Sequence, residues 1–487
     1  MYRTVAQLDM VMNTLGTDFP ELCTRVEMPN RSVQGRPIHA LRFHAGTATG
    51  RRGVLIVGGV HGRELMNPDA IVDLMIELIL AYTANQDITL GGKTWRAREL
   101  KIMMNTLDIW LLPCANPDGR EHAMNVDEMW RQNRRDNPGT SCEGVDVNRN
   151  HDIVWGVTTP FTSCSPCNET YVGPDRFSEP ETRNIRDLCD AHRIDVFLDV
   201  HSFTGLVLYP WGHAHTQTTD PTQRFTTLAT ATCASLTPPA HLEYMLPRDQ
   251  LRFQTVAAKI AADIHAVNGR SYTPTSIRGL YAATGTSTDY VYSRHIADPA
   301  LRKTYGFGFE TGLPILRPDG SVNLPESFHP ANPEPTKIET RSGIISLLFQ
   351  SICAIEFIGT TLSGSGSGRT LQKLRDVRDQ RLATTDAGRK LIALFERVQI
   401  PLLGLILADK PLTKEAMSLL DTSLKLLENE EAKVPTRELE RGLAFLDSLA
   451  NRTTSKTLRR DLDTIRKQVK SSGNKTVAKA LKQLLKS

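Results

Sequence analysis

The sequence predicts an α/β fold, a mixed and mainly parallel central sheet with helices on both faces, followed by an all-α helical bundle at the carboxyl end. Up to about residue 360, apolar runs of strand length alternate with segments of helical period. Continuous apolar strands alternating with helices are typical of a mainly parallel sheet that is covered on both faces. After a Ser/Gly tract at residues 363–368, the composition changes to Leu, Lys, Arg, Glu and Ala.

The strands of the first part can be placed from these runs. Helical segments, such as residues 68–82 and 179–192, lie between them. In folds of this class, functional sites collect at the carboxyl ends of strands, so polar residues at those ends become the candidates. The predicted buried strands are Gly53–Gly58, Leu107–Leu112, Asp195–Val200 and Tyr305–Phe309.

Composition and charge limit the classes of protein to which the chain can belong. The 487 residues are 40% hydrophobic and 23% charged, which excludes a collagen-like or wholly disordered chain. The most apolar stretch, residues 344–358, includes Gln350 and Glu356 and is shorter than the roughly 20 residues of a membrane span. It predicts a buried helix, and we expect no transmembrane segment. The opening residues lack the features of a signal peptide, which taken alone indicates a cytoplasmic location.

We predict three parts: an α/β domain over residues 1–360, a Ser/Gly linker over 361–370, and a basic helical domain over 371–487. The role of this last domain stays open. Its five or six helical segments are punctuated by Pro401, Pro411, Pro435 and Gly473.

The net charge of +4 conceals two parts of opposite sign. Residues 1–368 carry a net charge of −6 and residues 369–487 carry +10. In the basic part, acidic residues are interspersed with Lys and Arg, and no aromatic side chains are placed to stack on bases. We therefore expect solvated helix faces and no nucleic-acid partner. Self-association and binding to an anionic surface remain alternatives.

The sharpest local pattern is His61-x-x-Glu64, which follows the first of these strands. Alone it is weak, because a surface histidine near a helix start has the same pattern. A second histidine, His201, follows another predicted strand. Its presence favours a metal site over a surface histidine. Two histidines and a glutamate form a hydrolytic zinc set with an open coordination position, so we expect one Zn²⁺ per chain. Glu310 closes a further strand and is a candidate general base.

Two arginines are candidates for binding a negatively charged group of a ligand. Asn148 and Arg149 are adjacent, and an amide beside a planar guanidinium suits a carboxylate ligand. Arg131 precedes them and offers a second cation. Either arginine alone is more simply interpreted as a solvated surface residue.

Taken in order, these residues resemble the zinc metallocarboxypeptidase family of pancreatic carboxypeptidases A and B, peptidase family M14. The resemblance covers about residues 1–360. It implies a zinc carboxypeptidase-like fold and release of single C-terminal residues from peptides and proteins. The stretches that carry it are His61-x-x-Glu64, Trp130-Arg131, Val145-Asp-Val-Asn148-Arg149-Asn150, Val200-His201-Ser202, Leu280-Tyr281 and Phe309-Glu310.

The resemblance also implies a role for each catalytic candidate. His61, Glu64 and His201 bind zinc. Glu310 activates the zinc-bound water and passes its proton to the leaving amine, and Arg131 stabilises the tetrahedral oxyanion.

On the substrate side, the resemblance implies that Asn148 and Arg149 hold the free C-terminal carboxylate. Tyr281 corresponds to a mobile tyrosine that closes over the bound terminus. Arg63 and Ser202 are further substrate-binding residues.

Thr288 occupies the position of the family's specificity-pocket floor. There an acid favours Lys or Arg and an apolar residue favours aromatic or aliphatic ends. The neutral hydroxyl of Thr288 would leave the charge of a buried substrate Lys or Arg without a carboxylate partner. We therefore expect neutral, apolar or aromatic C-terminal residues. Phe203 stands where the pancreatic enzymes have a tyrosine after His-Ser, and we expect a modest effect on subsites.

Cysteines and histidines outside this set leave several interpretations open. The resemblance places Cys142 and Cys167 where the pancreatic enzymes form a disulfide, which allows an extracellular location. Cys164-x-x-Cys167 is alternatively a redox or zinc-ribbon half-motif, although no second pair completes it. His213 and His215 predict a solvated loop rather than a metal pair.

Two other functions remain as alternatives. A peptidase with the same site acting on cell-wall peptides would use the helical bundle as its targeting module. A non-enzymatic binding protein is disfavoured, because the ligand candidates, the base and the oxyanion arginine are all present.

Overall fold

The computed structural model describes residues 2–46, 51–225, 242–353, 358, 377–382, 385–429, 431–473 and 475–484. The chain forms two compact units. The first comprises Met1–Gly46, Arg52–Ala97 and Leu107–Ser351, and the second comprises Thr47–Arg51, Arg98–Thr106 and Ile352–Ser487. The proposed linker over 361–370 lies outside the described residues, so the predicted domain boundaries stay a prediction.

An eight-stranded mixed sheet forms the centre of the first unit. Its order is β1-β2-β6-β3-β7-β12-β8-β11, and the central neighbours β6, β3, β7 and β12 are all parallel. These strands are β1 (Cys23–Glu27), β2 (His39–Phe43), β3 (Arg52–Gly58), β6 (Leu107–Leu112), β7 (Ile194–His201), β8 (Leu206–Tyr209), β11 (Thr273–Ser276) and β12 (Tyr305–Glu310). Two short pairs complete the strands: β4 (Ile88–Leu90) with β5 (Lys93–Trp95), and β9 (His215–Gln217) with β10 (Leu242–Tyr244).

Ten helices accompany these strands in the described part of the chain up to Ser351. Helix α10 packs against α2 and α6, while α5 packs against α8. Their bounds are α1 (Val5–Asp18), α2 (Met66–Thr83), α3 (Ala97–Thr106), α4 (Pro117–Asn125), α5 (Pro180–Ala191), α6 (Pro247–Asn268), α7 (Ile277–Leu280), α8 (Ser287–Ala297), α9 (Leu324–Phe328) and α10 (Glu334–Ser351).

The predicted α/β fold class is confirmed. The four predicted strands appear as β3, β6, β7 and β12, and the two predicted helical segments appear as α2 and α5. All eight residues of β7 are buried, as expected for a central strand whose two faces are covered. The apolar stretch that begins at residue 344 forms the buried end of α10 and then reaches residues outside the described ranges.

The second unit is helical in its described residues after 376. A short helical turn over Val377–Leu382 precedes five helices, and α13 packs against α14. Pro401 lies inside the first of these helices rather than between two. No helix within the described ranges has the length and apolarity needed to cross a membrane. The five helices are α11 (Asp386–Leu407), α12 (Lys410–Glu428), α13 (Thr436–Arg452), α14 (Lys456–Ser471) and α15 (Val477–Leu484).

A disulfide joins Cys142 to Cys167, as the family resemblance implied, and it closes a loop with a sequence separation of 25. Because Cys167 is bonded to Cys142, the Cys164-x-x-Cys167 stretch does not form an internal redox pair. Cys114, Cys189 and Cys353 are free thiols.

We expect the double substitution of Cys142→Ser and Cys167→Ser to lower the free energy of unfolding by about 3 kcal/mol, because the open loop gains entropy in the unfolded chain. The urea midpoint of the full chain measures this change. Cys353→Ser, at a free thiol, is the control and should leave the midpoint nearly unchanged. An unaltered midpoint in the double variant would contradict a stabilising role for this disulfide.

Candidate active site

The candidate site lies where three parallel strands end. His61 sits in the turn after β3, and His201 and Glu310 are the last residues of β7 and β12. In the β7/β12 ladder, Glu310 pairs with His201, and in the β3/β7 ladder, Gly58 pairs with Val200. Since neighbouring strands lie about 5 Å apart, this register alone brings the three strand ends together.

A close backbone approach fixes the turn that carries His61. The Gly62 N–H donates to the Arg131 carbonyl oxygen at 2.9 Å. A side chain at Gly62 would place its Cβ 2.4 Å from the Gly119 carbonyl oxygen. Glycine is therefore required here, and the contact brings the segment of Arg131 beside the histidine.

The structure brings the three expected metal ligands into one buried cluster. His61 Nδ1 lies 2.7 Å from Glu64 Oε1, and His201 Nδ1 lies 3.1 Å from Glu64 Oε2. The two Nδ1 atoms are 3.2 Å apart. Within the described residues, this is the group of His, Cys, Asp and Glu side chains whose ligand atoms converge closely enough to hold a metal ion.

Two buried aspartates stand behind the imidazoles, and the sequence interpretation missed both. Asp146 Oδ1 lies 3.1 Å from His61 Nε2, and Asp199 Oδ2 lies 3.0 Å from His201 Nε2. Carboxylates in this position orient metal-binding histidines and raise their basicity. Asp199 precedes His201 by two residues on one strand, so strand alternation was a usable signal for it.

Electrostatics favour a cation between these groups. Burial raises the pKa of Glu64, but His61 and His201 outweigh it and hold that pKa well below its usual range. Burial lowers the pKa of His201, whereas Asp199 and Glu64 outweigh it and raise that pKa well above its usual range. Two imidazoles and an ionised carboxylate in a desolvated cluster suit Zn²⁺, so the residues fit the metal that the family uses.

Arg131 and Asp146 form a buried ion pair beside this cluster. Nε and one terminal nitrogen of Arg131 donate to Asp146 Oδ2 at 3.0 and 2.8 Å. Burial raises the pKa of Asp146, but Arg131 and Arg149 hold it well below its usual range. Burial also raises the pKa of Glu310 to about 8, with His201 opposing the rise.

Asn148 and Arg149 form the tight turn that follows Asp146. The side chain of Arg149 is only 2% exposed. Its Nε donates to the Phe161 carbonyl oxygen and its Nη1 to the Asn148 carbonyl oxygen, both at 2.7 Å. Its Nη2 makes no hydrogen bond to any described residue. A buried guanidinium with an unused donor is poised for an anion.

The remaining predicted residues surround this turn or the strand ends. Tyr281 stacks on Phe161 with ring centroids 4.4 Å apart. Thr288 is buried as the second residue of α8, and its hydroxyl is 3.5 Å from the Phe307 carbonyl oxygen. Ser202 is buried, and its hydroxyl has no hydrogen-bond partner among the described residues. The guanidinium of Arg63 donates to the Met129 carbonyl oxygen at 3.2 Å.

The expectation of a solvated loop at His213 is wrong. His213 is 1% exposed, and its Nε2 lies 2.9 Å from Glu243 Oε2 while its Nδ1 lies 3.4 Å from Asp289 Oδ2. Burial lowers its pKa, but hydrogen bonds to Asp289 and Glu243 outweigh it and raise that pKa to about 9. The physical reason is that two carboxylates distant in sequence enclose the ring. His215, by contrast, is exposed at the start of β9.

Residues 8–314 match the family model of the zinc carboxypeptidases, Peptidase M14, which spans more than half of the chain. The chain therefore belongs to the zinc carboxypeptidase family. This family depends on zinc, in agreement with the donor set described above.

Particular relatives agree with that membership. Carboxypeptidase A2 of Rattus norvegicus is 28% identical over 311 residues, covering 63% of this chain and 62% of the relative. Carboxypeptidase B of Astacus astacus is 29% identical over 316 residues, covering 63% of this chain and 88% of the relative. The matches thus span about three fifths of the length of the first mammalian relatives.

Solved structures show the same fold. The crystal structure of carboxypeptidase A from Helicoverpa armigera aligns with a TM-score of 0.54 and 25% identity, covering 72% of this chain and 73% of that one. Bovine thrombin-activatable fibrinolysis inhibitor, in complex with a tick carboxypeptidase inhibitor, aligns with a TM-score of 0.53 and 20% identity. The second alignment covers 72% of this chain and 97% of that chain and bears on the fold alone.

The charged state of His213 predicts a pH-dependent contribution to stability. Because its pKa is raised from 6.5 to about 9, this contribution is complete below pH 6.5 and is lost as the pH rises through 9. We expect His213→Gln to cost roughly 3 kcal/mol more at pH 6 than at pH 10. Urea unfolding of the parent and the variant at both pH values measures the difference.

The other titratable groups are present in both the parent and the His213→Gln variant. Their contributions to the pH dependence of stability therefore cancel in that comparison. His215→Gln, at an exposed histidine two residues away, is the matched control and should show almost no pH-dependent difference. A penalty for His213→Gln that is the same at pH 6 and pH 10 would contradict a charged, ion-paired His213.

Proposed function

We propose that this chain is a zinc-dependent metallocarboxypeptidase that hydrolyses the C-terminal peptide bond of peptides and proteins. It releases single amino acids with neutral, apolar or aromatic side chains. The observation that carries the proposal is the buried cluster of His61, Glu64 and His201 beside two further groups. These are Glu310 at the adjacent strand end and Arg149 with its unused donor.

The metal and the base occupy neighbouring strand ends. His61, Glu64 and His201 would hold zinc, which when bound supplies a Lewis acid for a carbonyl and acidifies water. Glu310 takes one proton from the attacking water and delivers it to the amine nitrogen as the C–N bond breaks. The water oxygen forms a new bond to the carbonyl carbon and becomes part of the carboxyl group of the shortened peptide, while the transferred proton completes the amine of the released amino acid.

The buried Arg149 explains why only terminal residues would be released. Its Nη2 and the Asn148 amide can donate to the two oxygens of a free terminal carboxylate. An internal peptide bond lacks that carboxylate and would leave the Nη2 donor of the buried Arg149 unused. The Tyr281 ring lies 5.7 Å from the Arg149 guanidinium and can close over the bound terminus.

Arg131 is suited to stabilise the developing oxyanion. Two of its nitrogens are held by Asp146, and its Nη1 makes no hydrogen bond to any described residue. A cation fixed in this way before the reaction needs no reorganisation when negative charge develops.

The floor of the proposed specificity pocket favours substrates whose terminal side chain is neutral. Thr288 contributes a hydroxyl, and the next residue, Asp289, is turned to the Gly212 N–H at 2.8 Å and to His213. Because His213 is charged at neutral pH, it compensates the charge of Asp289. Asp289 Oδ1 has no hydrogen-bond partner among the described residues, so the preference for a neutral side chain rests on the uncharged hydroxyl of Thr288 and on the charge of His213 beside Asp289.

The Cys142–Cys167 disulfide supports an oxidising compartment for this activity, because such bonds persist outside the reducing cytosol. This argues against the cytoplasmic location suggested by the opening residues alone.

We expect Glu310→Gln to lower kcat by roughly 10³-fold, because the amide cannot accept the proton. Zinc content, measured by metal analysis, should remain one ion per chain. Release of a terminal Phe or Leu from an unblocked peptide measures the activity. The matched control is Glu326→Gln, at an exposed glutamate on α9.

Nearly full activity of the Glu310→Gln variant would contradict the assigned base. A parent protein that binds zinc yet leaves these peptides intact, while cleaving purified cell-wall peptides, would favour the alternative substrate class.

We expect Thr288→Asp to shift the preference toward peptides ending in Lys or Arg, because a buried carboxylate would then pair with their charge. The ratio of kcat/KM for terminal Lys to that for terminal Phe should rise by at least about tenfold, the value of one added ion pair of 1.4 kcal/mol. Thr288→Asn, of similar size and no charge, is the control. A ratio unchanged by the aspartate would exclude Thr288 as the pocket floor.

A further inference from the structure

Asp199 is a fully buried carboxylate that takes no direct part in the proposed hydrolysis. Its Oδ2 lies 3.0 Å from His201 Nε2 and accepts a hydrogen bond of 2.5 Å from the Ser287 hydroxyl. Its Oδ1 has no hydrogen-bond partner within the described part of the chain. A buried carboxylate with so few partners is unfavourable unless it serves a positive group. The imidazole within hydrogen-bond distance of Asp199 is that of His201.

The two nitrogens of His201 have separate surroundings. Nδ1 faces Glu64 Oε2 at 3.1 Å and His61 Nδ1 at 3.2 Å, so Nδ1 is the ligand nitrogen. A histidine that binds metal through Nδ1 carries its proton on Nε2. That proton requires an acceptor, and Asp199 Oδ2 is in place to accept it.

A second neighbour of Nε2 is not an acceptor. The Asn148 amide nitrogen lies 3.2 Å from His201 Nε2. The orientation of this amide is set by its oxygen, which accepts from the Ser287 N–H at 2.8 Å. Two donors cannot satisfy each other, so the Nε2 proton goes to Asp199, and the Asn148 NH₂ keeps its capacity for a substrate oxygen.

The other imidazole has an equivalent partner that is held differently. Asp146 accepts from His61 Nε2 and is fixed by the charged Arg131. Asp199 is fixed by a neutral hydroxyl instead. Among the described residues, His201 is the one cationic partner that forms an ion pair with Asp199.

Ser287 contacts both Asp199, beside the metal ligand His201, and Asn148, in the proposed carboxylate-binding turn. As the first residue of α8, it precedes the pocket residue Thr288. Its hydroxyl donates to Asp199 and its backbone N–H donates to Asn148. Removal of the hydroxyl would therefore release Asp199 and leave the contact with Asn148 in place.

We propose that Asp199 and Ser287 are positioning residues for the zinc ligand His201. Ser287 orients Asp199, and Asp199 accepts the Nε2 proton, which holds Nδ1 toward His61 and Glu64. The inference rests on the zinc site of the proposed function but not on peptidase activity.

The test is the zinc affinity of the full chain, measured by competition with a chromogenic chelator. Asp199→Asn should weaken zinc binding by about 10- to 100-fold, the usual effect of losing such a partner. Ser287→Ala should weaken it about threefold to tenfold. Because Ser287 acts through Asp199, the double variant should bind zinc within twofold of Asp199→Asn alone.

Matched controls separate positioning from general damage. Asp195→Asn changes another buried aspartate on β7, and Ser293→Ala removes a buried hydroxyl on α8 that donates to the Tyr290 carbonyl oxygen. Both should bind zinc as tightly as the parent. Circular dichroism of the zinc-free proteins checks folding, and Ser287→Ala decides the outcome should Asp199→Asn not fold.

Zinc binding by both single variants within twofold of the parent would overturn the inference, as would fully multiplicative losses in the double variant. A parent that binds no zinc would overturn this inference and the proposed function together. A parent that binds zinc but releases no terminal residue would overturn only the proposed function.

Discussion

The parallel alignment of β3, β7 and β12 is the constraint on which the candidate site depends. The three strands are mostly apolar, because both faces of the sheet are covered, and the candidate residues come at their ends: His201 and Glu310 close β7 and β12, and His61 follows β3. Polar side chains are therefore displaced to the carboxyl edge, where the ladder pairs Glu310 with His201. A slip of one residue in this register would turn His201 to the other face of the sheet.

The buried charges at the carboxyl edge of the sheet must also be balanced. Glu64, Asp146 and Asp199 are buried within a few ångströms of two imidazoles, and Arg131 and Arg149 offset only part of their charge. Such a cluster is costly without a cation, which is why its geometry suits a metal ion. Each of the two arginines retains a donor that no described residue uses, so the same cluster is suited to a carboxylate ligand.

Prediction from the sequence succeeded where the signal was local. The strand-end positions of His61, His201 and Glu310 followed from apolar runs, and the fold class followed from their alternation with helices. His213 was misread because its partners, Glu243 and Asp289, lie 30 and 76 residues away. Periodicity carries no information on contacts of that kind. Asp199 was overlooked although its spacing from His201 on one strand face was readable.

The central claim, that a buried Arg149 selects peptides with a free terminus, is tested most directly by two peptides that differ only in that terminus. One ends in a free Phe carboxylate and the other in the Phe amide. Mass spectrometry after incubation with the zinc-loaded chain should show release of Phe from the acid and an intact amide. Cleavage of both peptides at equal rates, or cleavage at internal bonds, would contradict the account.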